Sequence, residues 1–335
     1  MKHLIINADD FGLSPGVNRG IIEAYQAEGI SSTTLMVNMP GFADAVRLAG
    51  LHPELGVGLH VNLTYGRPIS DPRLVPSLVQ ADGQFLPASE IYYRELRDIE
   101  TELSAQWERF IATGLRPTHL DAHHHLHQIF PNVYEAMARL AVKEGIPMRR
   151  LQKPQVRSGN AALLPLTTKQ VLLDTYEGDN GLQKLLYYLR NLQHGSTEIM
   201  CHPGYVDEPL RVISTLTKER EAELAVFRNP AISRAIRALG IRLIHYGMLG
   251  SVENRFDLAQ TEAVPHEDTI PPVVPLQPLT PKRTLTQRKK PGNRKLKSSS
   301  LAWRKQRRPA LPRKKPRVAA RKKKRTLKPQ HSRTY

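Results

Sequence analysis

Short blocks of apolar and β-branched residues alternate along the chain with longer segments in which apolar residues recur three and four positions apart. The short blocks are typical of strands covered on both faces, and the longer segments are typical of helices packed on a sheet. The predicted strands are an opening one that ends at residues 9–10, then residues 31–38, 55–63, 116–123, 146–151, 197–202 and 241–246. The predicted helices cover residues 15–29, 41–51, 89–114, 131–145, 182–192, 217–227 and 230–239.

The order of these elements predicts an α/β fold. Strand and helix alternate about seven times, and the helices are long enough to cross over a parallel sheet. The count favours a (β/α) barrel, incomplete or distorted. Two segments interrupt the pattern. Residues 64–88 are rich in Pro, Gly and Asp, and we expect them to line or cover a site. Residues 152–195 are irregular outside their helical piece.

The strong positive charge of the chain comes from its C-terminal end. The 335 residues carry a formal net charge of +18, but residues 281–335 hold 23 Lys and Arg and no Asp or Glu. The first 280 residues hold 26 basic and 31 acidic residues. We therefore predict a barrel domain at 1–255, a Pro-rich linker at 256–280 and a disordered basic tail at 281–335. The tail could bind nucleic acid or another anionic polymer or surface without specificity, or it could lack a dedicated partner.

Other features of the composition favour a cytoplasmic enzyme. Cys201 is the only cysteine, so no intramolecular disulfide can form. We expect no secretory leader before the first strand, and no apolar run approaches the roughly 20 residues of a membrane span. No glycine-rich phosphate or dinucleotide motif follows a predicted strand, which weakens a nucleotide-cofactor interpretation.

Two adjacent carboxylates, Asp9 and Asp10, stand at the end of the opening strand. The carboxyl ends of strands form the usual active-site face of an α/β protein. Neighbouring side chains of a strand point to opposite sides, so one pocket can use both only if the turn at Phe11-Gly12 reorients one of them. One carboxylate could then hold a metal while the other handles protons. Alternatively, both could merely cap the next helix or form a turn.

Histidines lie in or at the ends of three other predicted strands. His60 lies in an otherwise apolar strand, where a hydrogen-bonded core residue is the competing interpretation. Residues 119–127 hold five histidines and a carboxylate, which could reach a metal and support it, or could form a polar surface loop. His202 stands just before a tight turn. The histidines that would share one side of an extended chain are His119, His123, His125 and His127.

Asp10, His60 and His123 would make a set of two histidines and one carboxylate that leaves positions open for water and substrate. A divalent ion held there lowers the pKa of water and polarises a carbonyl. Asp9 could take the proton of that water, and His202 could protonate a leaving group. This arrangement suits hydrolysis of an amide or ester, although the same ligand set can hold redox iron.

Four segments resemble, in order, the motifs of the YdjC/ChbG carbohydrate deacetylases. They are residues 7–12 (NADDFG), 58–63 (GLHVNL), 118–125 (THLDAHHH) and 198–205 (EIMCHPGY), and the resemblance extends over about residues 1–250. It implies a barrel-like fold related to the polysaccharide deacetylases and removal of N-acetyl groups from amino sugars such as chito-oligosaccharides. It also implies a divalent ion, Mg²⁺, with Zn²⁺ as the alternative. Some relatives are linked to hopanoid lipid synthesis, so the family leaves the substrate open.

The resemblance also implies roles for individual residues. Asp9 matches the base and His202 the acid. The matching metal ligands are Asp10, His60 and His123. The residues expected to contact the substrate or to support the ligands are Asn7, Asp121, His125, His127 and, as the one that orients Asp9, either Arg149 or Arg150.

Two other functions stay open at this point. A metal-dependent hydrolase of another amide or of a phosphoester would use the same ligands, and phosphoester cleavage would release phosphate instead of acetate. A nucleic-acid-binding protein would use the basic tail, with the barrel as an inactive scaffold. The sequence also leaves the oligomeric state open, and a homodimer is one option.

Overall fold

A parallel sheet surrounds the opening strand, β1 (Lys2–Phe11). The computed structural model describes residues 1–90, 94–153, 164–178 and 180–253. The other strands are β2 (Ser32–Leu35), β3 (Gly56–Val61), β4 (Leu120–Ala122), β5 (Gln170–Leu172), β6 (Gly195–Cys201) and β7 (Ile241–Leu243). The order in this seven-stranded sheet is β4-β3-β2-β1-β6-β5, and β7 pairs with the start of β1.

Helices connect most of the strands, and local sequence signals explain where several of them start and end. The hydroxyl of Ser14 accepts a hydrogen bond from the Val17 backbone N–H at 3.3 Å, and Pro15 follows as the first residue of the helix, as predicted. The third helix begins at Leu96 and not at residue 89. The helices are α1 (Pro15–Gln26), α2 (Phe42–Leu51), α3 (Leu96–Ile111), α4 (Leu126–Ile129), α5 (Pro131–Glu144), α6 (Gly181–Asn191), α7 (Glu208–Ile213), α8 (Lys218–Phe227) and α9 (Pro230–Ala238).

β1 exchanges one neighbour for another along its length. Its first residues, Lys2–Leu4, pair with β7, whereas Asn7 and Ala8 pair with β2. On its other side β1 pairs with β6 from Lys2 to Ala8. The sheet is therefore curled, and its path through the described residues runs from β4 to β5 without closing. The predicted α/β fold is confirmed, and its barrel-like form is an open half-barrel.

The two faces of β1 are buried against different surroundings. Leu4, Ile6 and Ala8 belong to the main hydrophobic core, which includes the buried faces of the helices. Ile5 lies on the opposite face, in a second apolar cluster with Tyr246 and the residues around it. Because side chains alternate along a strand, Asp9 extends the face of Ile5. β1 therefore carries its first carboxylate on the face opposite the main core.

The prediction of a strand at residues 146–151 is wrong. Pro147 has no N–H to donate to a ladder, and in this segment Met148 forms an isolated bridge with Leu120 instead of a strand. The fifth strand lies at Gln170–Leu172, in a segment that we expected to be irregular. Three residues are too few to produce an alternating pattern, so the sequence gives no signal for this strand.

The predicted linker at 256–280 and basic tail at 281–335 lie outside the described residues. The domain boundary at residue 255 and polymer binding by the tail therefore stay predictions. The homodimer also stays a prediction. No helix in the described part of the chain is long and apolar enough to cross a membrane.

Candidate active site

The carboxyl ends of β1, β3, β4 and β6 meet at one cavity of about 670 Å³. This is the edge of a parallel sheet where α/β enzymes place their reactive groups. Residues from the loop between β3 and α3 line the cavity, as predicted, and residues 211–216 line it from α7 onward. The polar and charged residues that line the rest of it are Asp9, Asp10, His60, His123, His124, His125, His202 and Arg220, and Thr64 belongs to the loop.

Asp10 departs from regular strand geometry and thereby brings both carboxylates to the cavity. Its φ angle is 71°, a left-handed conformation that is uncommon for a residue other than glycine. The register of β1 against β2 shifts between Ala8 and Phe11. Such a bulge turns a side chain away from its regular direction, and Asp10 lines the same cavity as Asp9. The reorientation that we predicted for the turn at Phe11-Gly12 therefore begins one residue earlier, at Asp10 itself.

Asp10, His60 and His123 converge as the ligands of one ion would. Asp10 Oδ1 lies 3.1 Å from His60 Nε2 and 2.9 Å from His123 Nδ1. One donor atom from each of the three residues lies within 4.8 Å of the other two. The ring of His60 is held by Asp121, whose Oδ1 lies 2.5 Å from His60 Nδ1. This contact directs the other ring nitrogen toward Asp10, an arrangement common at metal-binding histidines.

The electrostatics of His60 also fit a cation site. Burial alone would lower the pKa of His60, but the carboxylates of Asp121 and Asp10 on either side raise this pKa to about 10. The imidazole is therefore protonated at neutral pH, and the cavity keeps one positive charge between two carboxylates. A divalent ion would take the place of that proton, as expected when metal binding displaces protons from its ligands.

Asp9 is held by a buried arginine. Arg149 donates from its two terminal nitrogens to the two oxygens of Asp9, at 2.7 and 2.6 Å. The same guanidinium contacts Asp121 Oδ2 at 2.9 Å and Glu198 Oε1 at 2.8 Å. Asn7 donates a further bond to Asp9 at 2.9 Å. Although burial would raise the pKa of Asp9, Arg149 holds this pKa below its ordinary value. The carboxylate is therefore ionised and fixed in one orientation.

Of the two arginines that could orient Asp9, the one in contact with it is Arg149. Arg150 instead donates to the carbonyl of Thr168 at 3.3 Å. Glu198, on the far side of Arg149, accepts a hydrogen bond from the hydroxyl of Tyr246. Arg149 is thus held by Asp121 of β4 and by Glu198 of β6, which lie on opposite sides of β1 in the sheet.

His202 lies between two acids. Its Nε2 is 4.0 Å from Asp9 Oδ2, and its Nδ1 is 4.0 Å from Glu223 Oε2. Glu223 accepts hydrogen bonds from the backbone N–H groups of His202 at 2.5 Å and of Tyr176 at 2.7 Å. Burial lowers the pKa of His202 to about 4 and raises the pKa of Glu223 to about 7. His202 is therefore neutral in the resting cavity.

The histidine-rich segment does not run extended as predicted. β4 covers Leu120–Ala122, and the chain then turns, with His124 and His125 at φ angles of 54° and 53°. His127 lies in α4. The prediction that His119, His123, His125 and His127 share one side of the chain is therefore wrong.

The members of this segment instead occupy different surroundings. His123 and His125 line the cavity, and burial lowers the pKa of His125 to about 4. His119 is buried away from the cavity and stacks on the ring of Tyr246 at 3.9 Å between ring centroids. His127 is also buried, with its Nε2 2.9 Å from the side-chain nitrogen of Gln128.

Several residues of the cavity were missed by sequence reasoning. Arg220 donates to Asp10 Oδ2 at 2.5 Å, and His124 shares a hydrogen bond of 3.0 Å with the hydroxyl of Thr64. Arg220 lies in a run of charged residues that opens a helix, which in a sequence resembles a solvated surface. His124 was not among the predicted site residues. On an extended chain it would face the side opposite to His123 and His125.

A half-barrel with two carboxylates and five histidines lining a cavity at the carboxyl edge of its sheet has the features of a hydrolase of the deacetylase class. Comparison with known proteins agrees. The sequence matches the profile of the YdjC-like protein family over residues 3–238, and the chain belongs to this family.

Named relatives support the enzyme class. A "Carbohydrate deacetylase" of Geobacillus stearothermophilus is 44% identical over 249 residues, covering 73% of this chain and 97% of the relative. A "Chitooligosaccharide deacetylase" of Yersinia pestis (strain Pestoides F) is 36% identical over 255 residues, covering 72% and 97%. A solved structure, described as a candidate cellobiose-phosphate cleavage protein of Enterococcus faecalis V583, superposes with a TM-score of 0.67 at 31% identity, covering 74% of this chain and 98% of that one. The family and the enzyme class predicted from the sequence, a carbohydrate deacetylase, are therefore confirmed.

Proposed function

We propose that the protein removes the acetyl group from N-acetylated amino sugars, including chito-oligosaccharides, in a reaction that depends on a divalent ion bound by Asp10, His60 and His123. The observation that carries this proposal is the convergence of those three side chains in the cavity that Asp9 also lines, with His202 4.0 Å away from the Asp9 carboxylate. One cavity thus holds a cation site, a fixed base and a proton carrier, which are the groups that amide hydrolysis requires.

The donor set fits a divalent ion and favours Zn²⁺. When bound, such an ion lowers the pKa of water and polarises the acetamide carbonyl. Two imidazole nitrogens and one carboxylate suit Zn²⁺ and similar transition metals, whereas Mg²⁺ prefers oxygen ligands and keeps most of its waters. Of the two ions considered from the sequence, we therefore propose Zn²⁺ in place of the Mg²⁺ that the resemblance implies.

Asp9 is the proposed base. Arg149 and Asn7 hold its oxygens in place, and its lowered pKa keeps it ionised at neutral pH. A carboxylate with a low pKa is a weak base, so it suits a water molecule whose own pKa has been lowered. Asp9 would take one proton of this water while the water oxygen bonds to the acetyl carbon.

His202 is the proposed acid. Because its pKa is lowered to about 4, it is neutral at rest and must gain its proton during the reaction. Asp9 Oδ2 lies 4.0 Å from His202 Nε2, a gap that the substrate or one water can bridge. His202 would then protonate the sugar nitrogen as the carbon–nitrogen bond breaks. The products are acetate and a free amino sugar.

The most direct test of the proposed function is acetate release from a panel of substrates. The panel holds oligomers of N-acetylglucosamine, an N-acetylated lipid-linked sugar and a generic phosphoester. We expect acetate from one or more amino sugars and no phosphate from the phosphoester. Phosphate release without acetate release would contradict the proposal and support the other hydrolase. Salt-dependent DNA binding that disappears when residues 256–335 are removed, in a protein that hydrolyses nothing, would support the nucleic-acid-binding alternative.

A second prediction concerns the choice of ion. Calorimetric titration of the metal-stripped protein should show that Zn²⁺ binds at least about a hundredfold more tightly than Mg²⁺, because the site offers two nitrogen ligands. His123→Ala should lose this binding, whereas His124→Ala should keep it. The His124 variant is the matched control, since its ring lies 4.0 Å from that of His123 and lines the same cavity. Binding of Mg²⁺ as tight as that of Zn²⁺ would contradict the proposed ion.

A further inference from the structure

Arg220 has a place in the cavity that the groups described so far do not explain. It is 2% exposed, although an arginine is almost never fully buried without partners. Its Nη2 donates to Asp10 Oδ2 at 2.5 Å, and its Nε donates to the Leu216 carbonyl at 3.2 Å. Its Nη1 is also buried and has no hydrogen-bond partner among the residues that the structure describes. A buried charged donor without an acceptor is costly, so this atom calls for a ligand.

The two oxygens of Asp10 serve different neighbours. Oδ1 faces His60 and His123, and Oδ2 faces Arg220. Arg220 therefore does not compete with an ion for Oδ1, and it can stay in place when the ion binds. Its position is fixed further by Leu216, which belongs to the cavity wall of residues 211–216. The guanidinium is rigid and planar, so two bonded nitrogens determine where Nη1 lies.

The residue that carries this free donor lines the reacting side of the cavity. Arg220 lines the same space as Asp9, His60 and His202. Burial lowers the pKa of His202, Asp9 and Asp10 raise it, and the positive charge of Arg220 lowers it further by a smaller amount. The guanidinium therefore lies within electrostatic range of that imidazole. During amide hydrolysis negative charge develops on the acyl oxygen, and a donor fixed beforehand at that oxygen stabilises the transition state.

We propose that Arg220 is a catalytic residue whose Nη1 donates a hydrogen bond to the acyl oxygen of the substrate, while Nη2 holds Asp10 in its ligand orientation. This inference rests on the proposed deacetylase function and adds to it a second group for the oxyanion besides the ion. The same donor would also bind a carboxylate oxygen of acetate, so we expect the cavity to bind this product.

The test compares Arg220→Lys with the wild type. Lysine keeps a positive charge near Asp10 but lacks the second terminal nitrogen. We expect the dissociation constant of Zn²⁺, measured by calorimetry on the metal-stripped protein, to change by less than about threefold. We expect kcat for acetate release at saturating Zn²⁺ to fall by about 10²–10³-fold, the usual effect of removing one oxyanion donor, with little change in KM. A kcat within tenfold of the wild type, or a loss that excess Zn²⁺ restores, would overturn the proposal.

A matched control and a second measurement keep the result interpretable. Arg228→Lys makes the same change at an arginine that pairs with Glu23 at 3.6 Å and is 51% exposed, so it should leave kcat unchanged. Acetate binding to the Zn²⁺-loaded protein reads the same contact without turnover, and Arg220→Lys should weaken it at least about tenfold. Equal acetate affinity in the two proteins would overturn the proposal even if no sugar on the panel were hydrolysed. A wild type that binds acetate but releases none from any sugar would count against the proposed function alone.

Discussion

Asp9→Asn should lower kcat for acetate release by about 10²–10⁴-fold, the usual contribution of a general base, without weakening metal binding. Asparagine keeps the shape of the side chain but cannot take a proton from water. Asp9 belongs to a second group of possible donors, with His60 and Asp121, but Arg149 already bonds both of its oxygens. After the substitution, Arg149 would still have Asp121 and Glu198 as partners. The measurement is steady-state kinetics at saturating metal, with calorimetry for the affinity of the ion.

Asp174→Asn is the control for this substitution. Asp174 pairs with Lys184 at 2.8 Å and does not line the cavity, so the same chemical change there should leave kcat unaltered. Wild-type turnover in Asp9→Asn would show that another group takes the proton.

Arg149→Met should have the largest effect on stability. The guanidinium is fully buried and contacts Asp9, Asp121 and Glu198, none of which is exposed. Removing one partner of a buried ion pair typically costs about 3–5 kcal/mol, because the remaining charge stays in a medium of low polarity. Arg150→Met is the matched control. It changes the neighbouring arginine, which donates to a backbone carbonyl, and it should cost at most about 1 kcal/mol.

The loss of stability in Arg149→Met should depend on pH. In the wild type, Arg149 holds the pKa of Asp9 below its ordinary value, so this carboxylate stabilises the fold above its unfolded pKa of about 3.9, and the stabilisation is lost as the pH falls below that range. Without the guanidinium, burial raises this pKa, and the ionised form becomes unfavourable in the fold. The difference in denaturation midpoint between variant and wild type should therefore be larger at pH 8 than at pH 5. A difference independent of pH would assign the effect to lost packing.

The sequence was sufficient for the fold class and for most of the strand ends because periodicity is a local property. Buried strands and their crossover helices leave patterns of apolar residues that survive without knowledge of the tertiary fold. β5 left no such pattern, since Gln170–Leu172 is short and its residues are only partly buried or exposed. The strand expected at 146–151 had the apolar pattern but also Pro147, which prevents a continuous ladder.

The site was predictable where function depends on residue type and was not where it depends on backbone conformation. Asp10, His60 and His123 were recognisable as candidate metal ligands by their chemistry, and the structure brings their donor atoms together. The left-handed φ angles of Asp10, His124 and His125 were not recognisable, because this conformation is uncommon outside glycine and the local sequence does not mark where it occurs. The contact between Arg220 and Asp10 joins residues 210 positions apart and could not be inferred from either local sequence.

A metal titration of acetate release, run side by side on metal-stripped wild type, Asp9→Asn and Asp10→Asn, tests the central claim most directly. That claim divides the work between the two adjacent carboxylates, with the ion on Asp10 and the proton on Asp9. We predict that Asp10→Asn requires more metal than the wild type to reach half of its maximal rate, and that excess metal partly restores its turnover. We predict that Asp9→Asn saturates at the same metal concentration as the wild type and stays slow at every concentration. Rescue of Asp9→Asn by added metal, with Asp10→Asn unaffected by it, would contradict this division of roles.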